Sequence, residues 1–462
     1  MVNPLYSSIT VVILILLVMR QISVWKYRVF LSPGFYFGAF WIFGVFGVSL
    51  FSMLDMIPMT YPEYVDELNI LIGFTGLCFL LYTSWGRKKI NQDAIVVNFT
   101  TQQIFNILSV ILLLAAVADF LRLGGQFNMG AAREALHENQ ASRPAWIGYI
   151  ETLSLPLSVM AGYKIATSLM HKTKLSIANK VFLILPLVAN FFFSVSVGGR
   201  VHFVYAFITY LIGCSLAMPM KLRLSQLKKP IIMLTIAVVL VISFISMVAA
   251  QRSQYYLGRV DEKQAYFESK YGALGFLYGP VEYMVASFIG YQYRRYDAVD
   301  LNELGYGQYT FNGFINWTIP FSGQLGLEDL SIAKTFDIYY DNQETYDFER
   351  MFYFTTHSCY IPLVKDFGTS YMLYIVIALL TYISHYLFVQ IQRRSVIRNA
   401  CSIFLYYIFW NYWVKSNYYG TLSSTVLVPL YGFIIIDLVS HIFVRKTRPR
   451  SIHFDNDGHH VI

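Results

Sequence analysis

Apolar runs without charged residues follow one another along most of the chain, separated by short polar connections. Several runs approach or exceed the roughly 18–20 residues that a helix needs to cross a bilayer. They predict eleven spans, at about 5–19, 30–54, 68–85, 103–120, 146–168, 181–194, 202–218, 231–250, 369–389, 400–414 and 422–443. Backbone polar groups in hydrocarbon must be paired within the protein, and the alternation of barrel strands is missing. The pattern therefore predicts an all-α polytopic membrane protein.

One long polar stretch interrupts the series of spans. It divides the chain into spans 1–8 (1–250), a large loop (251–368), spans 9–11 (369–444) and a tail (445–462). Within the loop, 276–293 is apolar, but Pro280 and Glu282 lie early in it, and proline breaks helix interiors. A crossing there would move every later connection to the other side of the membrane. We therefore interpret 276–293 as an interfacial or re-entrant segment.

The basic residues predict the orientation of the bundle. Short connections on one predicted side hold more than half of the 35 Lys and Arg residues: Arg20, Lys26, Arg28, Arg87, Lys88, Lys89, Lys172, Lys174, Lys180, Lys221, Arg223, Lys228, Lys229, Arg393, Arg394, Arg398, Arg445, Lys446, Arg448 and Arg450. The connection 55–67, on the other side, is acidic and has no basic residue. Basic connections stay in the cytoplasm. The N-terminus and the large loop are therefore predicted outside, and the C-terminal tail in the cytoplasm.

Composition agrees with a lipid-buried chain. It is 56% hydrophobic and 13% charged, against about 25% charged residues in soluble chains. The net charge of +8 is spread over many connections, so it does not indicate nucleic-acid binding. The first apolar run lacks a preceding basic region and a cleavage site, and is predicted to be a retained span. Cys359 stands alone in the large loop, so no disulfide framework is predicted.

A short outer connection, 194–200 (Ser-Val-Ser-Val-Gly-Gly-Arg), joins two predicted spans. Its glycines permit close backbone approach, and the next helix begins at once. The unpaired N–H groups of that helix and the Arg200 guanidinium then point to one place, which suits a diphosphate or another anion. The alternative is a tight turn whose Arg200 reaches water or lipid phosphate.

Further polar residues lie where the large loop leaves and re-enters the membrane. Gln251 and Arg252 follow the eighth span, where snorkelling to the interface is the alternative role for the arginine. His357 precedes Lys365 and Asp366 at the return. A histidine can move protons near neutral pH, and a lysine can neutralise phosphate. The alternative is a solvated histidine beside an interfacial ion pair.

Other groups near the span ends carry less weight. Asp119 and Arg122 are three residues apart and suit a pair on one helix face; Glu151 and Lys164 also lie near span ends, and Lys164 is predicted to snorkel. Aromatic residues stand among Asn, Gln and Asp in the large loop, which suits sugar rings or packing of the loop on the bundle: Tyr291, Tyr293, Tyr296, Tyr306, Tyr309, Trp317, Tyr339, Tyr340 and Tyr346.

Several motifs are missing. No Gly-rich loop follows a strand, which argues against ATP or a dinucleotide. The Asp455-Asn456-Asp457 motif lies in the tail, on the predicted cytoplasmic side. No compact His/Cys/Asp cluster is seen. The sequence therefore predicts neither a metal site nor a cofactor.

With these residues in view, the chain resembles the Wzy-type polymerases of oligosaccharide repeat units, or O-antigen polymerases. It is similar in particular to the branch that includes the enterobacterial common antigen polymerase. The resemblance spans most of the chain in span number and in the single large outer loop. Its local matches are 197–200 (Val-Gly-Gly-Arg), 251–252 (Gln-Arg), 317–320 (Trp-Thr-Ile-Pro) and 355–368, which ends in Asp-Phe-Gly.

The resemblance implies a lipid-dependent glycosyltransferase in the bacterial inner membrane. Such enzymes move a glycan from undecaprenyl diphosphate to the non-reducing end of another lipid-linked repeat unit on the outer leaflet. They make surface polysaccharide such as O-antigen of lipopolysaccharide or capsule, without nucleotide sugar. The resemblance also implies a helical bundle like those of lipid-dependent glycosyltransferases. Partnership with a flippase and a chain-length regulator is implied as well.

This reading assigns roles to the candidate residues. Arg200 and Arg252 are predicted to clamp the diphosphate, with Lys365, Arg294 and Arg295 as further candidates, because neutralising the leaving group is the main catalytic task.

The attacking hydroxyl needs a base. His357 is the first choice, with Glu282 and Asp366 behind it. The alternatives are an O-antigen-type ligase that uses the same carrier, a flippase or transporter of lipid-linked oligosaccharide, and a structural membrane scaffold.

Overall fold

A computed structural model describes residues 3–53, 60–83, 90–125, 127, 144–171, 175–196, 201–220, 269, 272, 278–297, 299, 301–311, 358–414, 416 and 429–447. The helices in these ranges are α1 (Pro4–Trp25), α2 (Pro33–Met53), α3 (Pro62–Tyr82), α4 (Gln102–Arg122), α5 (Ala145–Glu151), α6 (Ser154–His171), α7 (Ile177–Ser196), α8 (Val201–Ala217), α9 (Tyr278–Asp297), α10 (Tyr360–Phe367), α11 (Tyr371–Arg393), α12 (Phe404–Val414) and α13 (Pro429–Thr447). Strands β1 (Val96–Val97) and β2 (Val396–Ile397) form a two-residue parallel pair.

Among the described helices, six are long and apolar enough to cross a membrane. They are α2, α3, α4, α7, α11 and Pro4–Leu31, which joins α1 to a 3₁₀ turn. Two shorter apolar helices, Ala206–Ala217 and Pro429–Phe443, accompany them. These helices confirm the prediction of an all-α polytopic membrane protein. The number of eleven spans stays a prediction, and the eighth span at 231–250 lies outside the described residues.

Two predicted spans differ from uninterrupted membrane helices. The span predicted at 146–168 is broken into α5 and α6 by a turn at Thr152 and Leu153. The span predicted at 400–414 contains a 3₁₀ turn and then α12, which has only 11 residues. Hydropathy indicates that a segment is buried in an apolar environment. It does not distinguish one helix that crosses the membrane from two shorter helices in succession.

One end of the bundle is held together by a buried arginine, and we call it the Arg28 end. The Arg28 side chain is 0% exposed. Its Nε donates to the Met218 carbonyl at 3.1 Å, and its Nη1 donates to the Asn91 carbonyl at 2.8 Å and to Gln392 Oε1 at 3.2 Å. Its Nη2 donates to the Asp93 carbonyl. Four segments far apart in the chain therefore meet at one guanidinium.

The β1–β2 pair lies at the same end. The Val96 N–H donates to the Ser395 carbonyl at 2.8 Å, and the Ile95 N–H donates to the Leu216 carbonyl at 3.0 Å. The segments that meet here include the connection around Arg28 and the one at 393–398, which the charge pattern assigns to one side of the membrane. The structure brings these segments to one end of the bundle, and the side of the membrane that this end faces stays a prediction.

The first turns of α3 and the last turn of α9 lie at the opposite end of the bundle. We call this end the Glu67 end. The Asn3 N–H donates to Asp66 Oδ1 at 2.9 Å, which places the start of α1 beside the start of α3. The Tyr61 N–H donates to Gln292 Oε1 at 3.0 Å, which places the end of α9 there as well.

Helix α9 lies inside the bundle, packed against α2, α3 and α10. Pro280 is its third residue, and proline is tolerated in a first turn because the N–H there has no intrahelical partner. Val285, Phe288 and Ile289 are 0% exposed, and the Phe288 ring meets the Trp41 ring of α2 edge-on at 5.7 Å. These residues of α9 are therefore packed within the bundle, and the interfacial or re-entrant assignment of 276–293 stays a prediction.

Two short helices, α10 and α12, meet in the interior of the bundle. The Cys359 N–H, which precedes α10, donates to the Ser416 carbonyl at 2.8 Å, just beyond α12. The Ser416 hydroxyl accepts from Trp41 Nε1 at 2.8 Å, and the Tyr360 hydroxyl pairs with that of Thr75 at 2.7 Å. Non-helical backbone at such depth requires partners within the protein, and the bond between Cys359 and Ser416 pairs two such backbone groups.

The position of Cys359 corrects the sequence analysis. The thiol was expected in a polar outer loop, but the residue is 0% exposed and belongs to the packed core. The reason is that α10 begins inside the bundle and rises from there towards the Glu67 end. Among the described residues, all cysteines are free.

Candidate functional site

The first turns of α3 supply the acidic groups of the Glu67 end. Pro62 occupies the first helical turn, and Glu63, Asp66 and Glu67 follow on the helix. Negative charge is favourable there because it faces the positive end of the helix dipole. The sequence analysis placed 55–67 in a connection, and this boundary was wrong for its last six residues. Proline followed by acidic residues is a helix-start signal that would have placed the boundary correctly.

Arg295, a predicted diphosphate-binding residue, pairs with Glu67. Its Nε lies 3.1 Å from Glu67 Oε1, and the Tyr291 hydroxyl donates to the same oxygen. The guanidinium carbon lies 5.0 Å from the centre of the Tyr64 ring, within the range of a cation–π contact. Arg295 is 7% exposed. These contacts hold its positive charge at a defined position where α9 ends.

Arg294 is the neighbouring predicted residue, and it is 6% exposed. Both arginines lie in the last turn of α9, where positive charge is favourable because the helix dipole is negative. An arginine that lies just below the protein surface is suited to binding phosphate, because its planar guanidinium can donate two parallel hydrogen bonds to the phosphate oxygens. Arg294 and Arg295 thus place two positive charges in the last turn of α9, at the Glu67 end.

Tyrosines surround this ionic group. The rings of Tyr61 and Tyr296 stack at 4.2 Å between centres, and the Tyr293 hydroxyl pairs with the Thr60 hydroxyl at 2.7 Å. Tyr296 is 55% exposed, whereas Tyr291 is 0% exposed. Tyr291 is therefore packed within the bundle, as one of the two interpretations of these tyrosines expects. Binding of sugar rings stays a prediction.

Asp366 organises a turn at 301–311. Its Oδ1 accepts from the Tyr309 N–H at 3.1 Å and its Oδ2 from the Thr310 N–H at 2.6 Å. Its own carbonyl accepts from the Tyr306 N–H at 3.1 Å. The turn contains Gly307 with φ +98°, a conformation that glycine adopts without strain. Both carboxylate oxygens therefore hold backbone groups, which gives Asp366 a structural task.

Burial raises the pKa of Asp366 above its ordinary value, although the hydrogen bonds of Tyr309 and Thr310 act in the opposite direction. An acid with a raised folded pKa contributes stability that is lost as the pH rises through that pKa. Lowering the pH through the folded pKa of Asp366 therefore favours the folded turn.

Replacing Asp366 with alanine is expected to release the turn at 301–311. The N–H groups of Tyr309 and Thr310 would lose their acceptors, and each buried unpaired group costs about 1–3 kcal/mol. Limited proteolysis followed by mass spectrometry would show new cleavage within the turn. Glu303→Ala is the matched control, because Glu303 is an exposed carboxylate of the same turn. If the turn were equally resistant to proteolysis in Asp366→Ala and Glu303→Ala, Asp366 would not hold the turn at 301–311.

Lys365, the other predicted residue on α10, is 9% exposed. Its ammonium group lies 6.0 Å from the centre of the Tyr309 ring, and its carbonyl accepts from the Gly305 N–H at 3.1 Å. Helices α9 and α10 pack on each other. The structure therefore places Lys365 and the two arginines on adjoining helices.

The remaining predicted site residues are not placed. Arg200, Arg252 and His357 lie outside the described residues, as does 317–320. Glu282 lies in α9, but its side chain is outside the described part. In the described ranges, no group of three or more His, Cys, Asp or Glu residues could hold a metal ion.

The structure also shows polar pairs that were not assigned a function from sequence. His202 and Glu151 approach within hydrogen-bond distance, and the sequence analysis did not consider His202. The Asp119–Arg122 pair that was predicted from their spacing is confirmed at 3.1 Å. Lys164 donates to Gln102 Oε1 at 2.6 Å and lies 5.0 Å from the centre of the Phe105 ring.

No protein-family model, curated protein or solved structure matches this chain. The apolar helices and the buried ionic groups therefore define it as an all-α membrane protein with a polar cluster at one end of the bundle.

Proposed function

We propose that this chain is a lipid-diphosphate-dependent glycosyltransferase that polymerises lipid-linked oligosaccharide repeat units. One observation carries the proposal. Arg294, Arg295 and Lys365 are each no more than 9% exposed and lie on adjoining helices at one end of an apolar bundle. Positive groups that packing holds in place are suited to binding an anion. A diphosphate on a lipid carrier is an anion that reaches such a place from within the membrane.

In the proposed reaction, undecaprenyl diphosphate leaves as its glycan moves to a hydroxyl of another lipid-linked repeat unit. Negative charge grows on the phosphate oxygen that leaves. Cations held in place by packing stabilise that charge without reorganising during the reaction. Glu67 and Tyr64 hold Arg295 in this way. The exposed ring of Tyr296 is suited to a sugar face.

The proposal includes an orientation. The Glu67 end faces the outer leaflet of the bacterial inner membrane, the Arg28 end faces the cytoplasm, and the N-terminus lies outside. The support is the bias of Lys and Arg towards the connections at 20–28, 87–89 and 393–398, because basic connections are retained in the cytoplasm. Lipid-linked repeat units delivered by a flippase would then meet the cluster, and a chain-length regulator would act beside it.

Reconstitution tests the proposed function. Purified full-length protein in liposomes, with the undecaprenyl-diphosphate-linked repeat unit of its own host, is expected to give a ladder of products at repeat-unit spacing without nucleotide sugar. A single transferred product would instead indicate a ligase. A change in the leaflet distribution of the substrate without any new product would indicate a transporter.

Arg294→Ala is expected to lower the polymerisation rate by about 100-fold, the effect of removing one preorganised donor from a developing anion. Arg398→Ala is the matched control. Arg398 is exposed and belongs to the segment that reaches the Arg28 end. The measurement is the initial rate of ladder formation at equal amounts of folded protein. Equal rates for the two variants would show that Arg294 does not bind the diphosphate.

A further inference from the structure

Glu67 is a partly exposed carboxylate within the ionic group at the Glu67 end. Its side chain is 23% exposed, against 8% for that of Arg295. Arg295 Nε lies 3.1 Å from Glu67 Oε1, and the Tyr291 hydroxyl donates to the same oxygen. The described hydrogen bonds of this carboxylate thus end on Oε1, so Oε2 is the oxygen suited to accept a proton from a ligand.

Helix packing fixes the position of this carboxylate. Glu67 belongs to α3, its two donors belong to α9, and the two helices pack on each other. Tyr291 is 0% exposed, and the guanidinium carbon of Arg295 lies 5.0 Å from the centre of the Tyr64 ring, one turn before Glu67. A catalytic base has to be held within hydrogen-bond reach of its substrate, and rigid helices hold it more precisely than loops do.

Two neighbouring carboxylates are engaged differently. Both oxygens of Asp366 accept backbone N–H groups of the turn at 301–311. The two oxygens of Asp66 lie 2.9 Å and 3.3 Å from the Asn3 nitrogen, whose N–H they share. These two carboxylates therefore connect chain segments through both of their oxygens, whereas Glu67 is held through one.

An exposed aromatic ring is connected to this carboxylate by described contacts. The Tyr64 ring, which contacts Arg295, lies 6.0 Å from the Tyr61 ring. Tyr61 in turn stacks on Tyr296 at 4.2 Å, and Tyr296 is 55% exposed. The apolar face of a sugar ring can pack on such an aromatic face. A sugar on this ring would lie at the same end of the bundle as the Glu67 carboxylate.

We propose that Glu67 is the base that deprotonates the attacking sugar hydroxyl, and that Tyr291 and Arg295 position it. This inference rests on the proposed function. Arg294 precedes Arg295 in α9, and Lys365 lies on α10, which packs on α9. The base and the cations proposed to bind the diphosphate thus belong to one group of side chains. A carboxylate is basic enough for this task, because inverting glycosidases use one to activate water at an anomeric carbon.

In the proposed step, the acceptor oxygen forms a bond to the anomeric carbon of the donor glycan, and its proton passes to Glu67 Oε2. The bond between that carbon and the phosphate oxygen breaks, and undecaprenyl diphosphate leaves with the electron pair. The protonated Glu67 then returns its proton to water.

A purely structural link between α3 and α9 is the competing account, and Glu67→Gln separates the two. The amide oxygen of glutamine still accepts from Arg295 and Tyr291, but the amide is not a base. In the liposome assay, this variant is expected to lower kcat by about 100-fold or more, the contribution of a general base, with KM changed by less than about threefold. Tyr291→Phe is expected to lower kcat by about tenfold with KM unchanged, because one bond that orients the base is lost.

Two further variants complete the test. Glu63→Gln is the matched control, because Glu63 is an exposed carboxylate one turn earlier on α3, and it is expected to keep the wild-type rate. Glu67→Ala is expected to regain activity when formate is added, since formate supplies the missing carboxylate.

A wild-type ladder with full activity of Glu67→Gln would overturn this inference and leave the proposed polymerase standing. Equal losses in Glu63→Gln and Glu67→Gln, or no response of Glu67→Ala to formate, would also overturn the role of Glu67 as a base. No ladder from the wild-type protein would overturn both proposals.

Discussion

Replacing Arg28 with lysine is expected to destabilise the protein by about 3–6 kcal/mol, since at least two bonds of a charged donor are lost at about 1.5–3 kcal/mol each. The Arg28 guanidinium donates to the carbonyls of Asn91, Asp93 and Met218 and to the side chain of Gln392. The planar guanidinium of Arg28 reaches these acceptors in several directions at once. A lysine has a single ammonium group at the end of its side chain and cannot reach all of them. Gln392 is 0% exposed, so water does not replace the bond that its Oε1 loses.

The measurement is the thermal midpoint of unfolding in detergent, together with the yield of monodisperse protein. Arg398→Lys is the control, because Arg398 is exposed near the same end of the bundle. Its midpoint is expected to stay close to that of the wild-type protein. An Arg28→Lys midpoint as high as that of Arg398→Lys would show that the guanidinium does not hold the Arg28 end together.

Gly162→Ala is expected to force α6 and α8 apart, with a loss of about 3 kcal/mol, at the upper part of the usual range for overpacking. A Cβ on Gly162 would lie 2.1 Å from the Tyr210 carbonyl oxygen, and one on Gly213 would lie 2.0 Å from the Val159 carbonyl oxygen. Backbone meets backbone at this crossing, so no side-chain rotation relieves the overlap. Small residues permit such close approach between membrane helices.

Gly148→Ala is the matched control for this crossing. Gly148 lies in α5, and a Cβ there meets nothing within 4 Å, so alanine is expected to be neutral or slightly stabilising in a helix. Thermal unfolding in detergent compares the two variants. Since α6 follows Glu151 and α8 carries His202, Gly162→Ala is also expected to lengthen the 2.9 Å contact between those two side chains. Equal stability of the two variants would contradict the close approach of the backbones.

The long apolar helices were accessible from the sequence for a physical reason. In hydrocarbon, a segment without charges has to satisfy its backbone within itself, so a run of sufficient length implies a helix. This reasoning located α2, α3, α4, α7 and α11 to within several residues. It failed where a helix starts in polar residues, as α3 does at Pro62, because hydropathy reports only the apolar part.

Behind Arg200 and Arg252, the sequence analysis named Arg294, Arg295 and Lys365 as further candidates for binding a diphosphate, and this role stays a prediction. Their partners were not found. The Glu67 carboxylate that binds Arg295 lies 228 residues away in the chain, and no local periodicity connects two such distant positions.

The sequence by itself determined that this is an all-α membrane protein, because the apolar runs leave no other way to pair the backbone. It also determined which connections carry positive charge. Only the tertiary structure decided that Arg28 is a buried donor to three other segments, that Asp366 holds a turn, and that His202 meets Glu151. Each of these roles depends on packing between helices distant in sequence, and packing is a property of the assembled bundle.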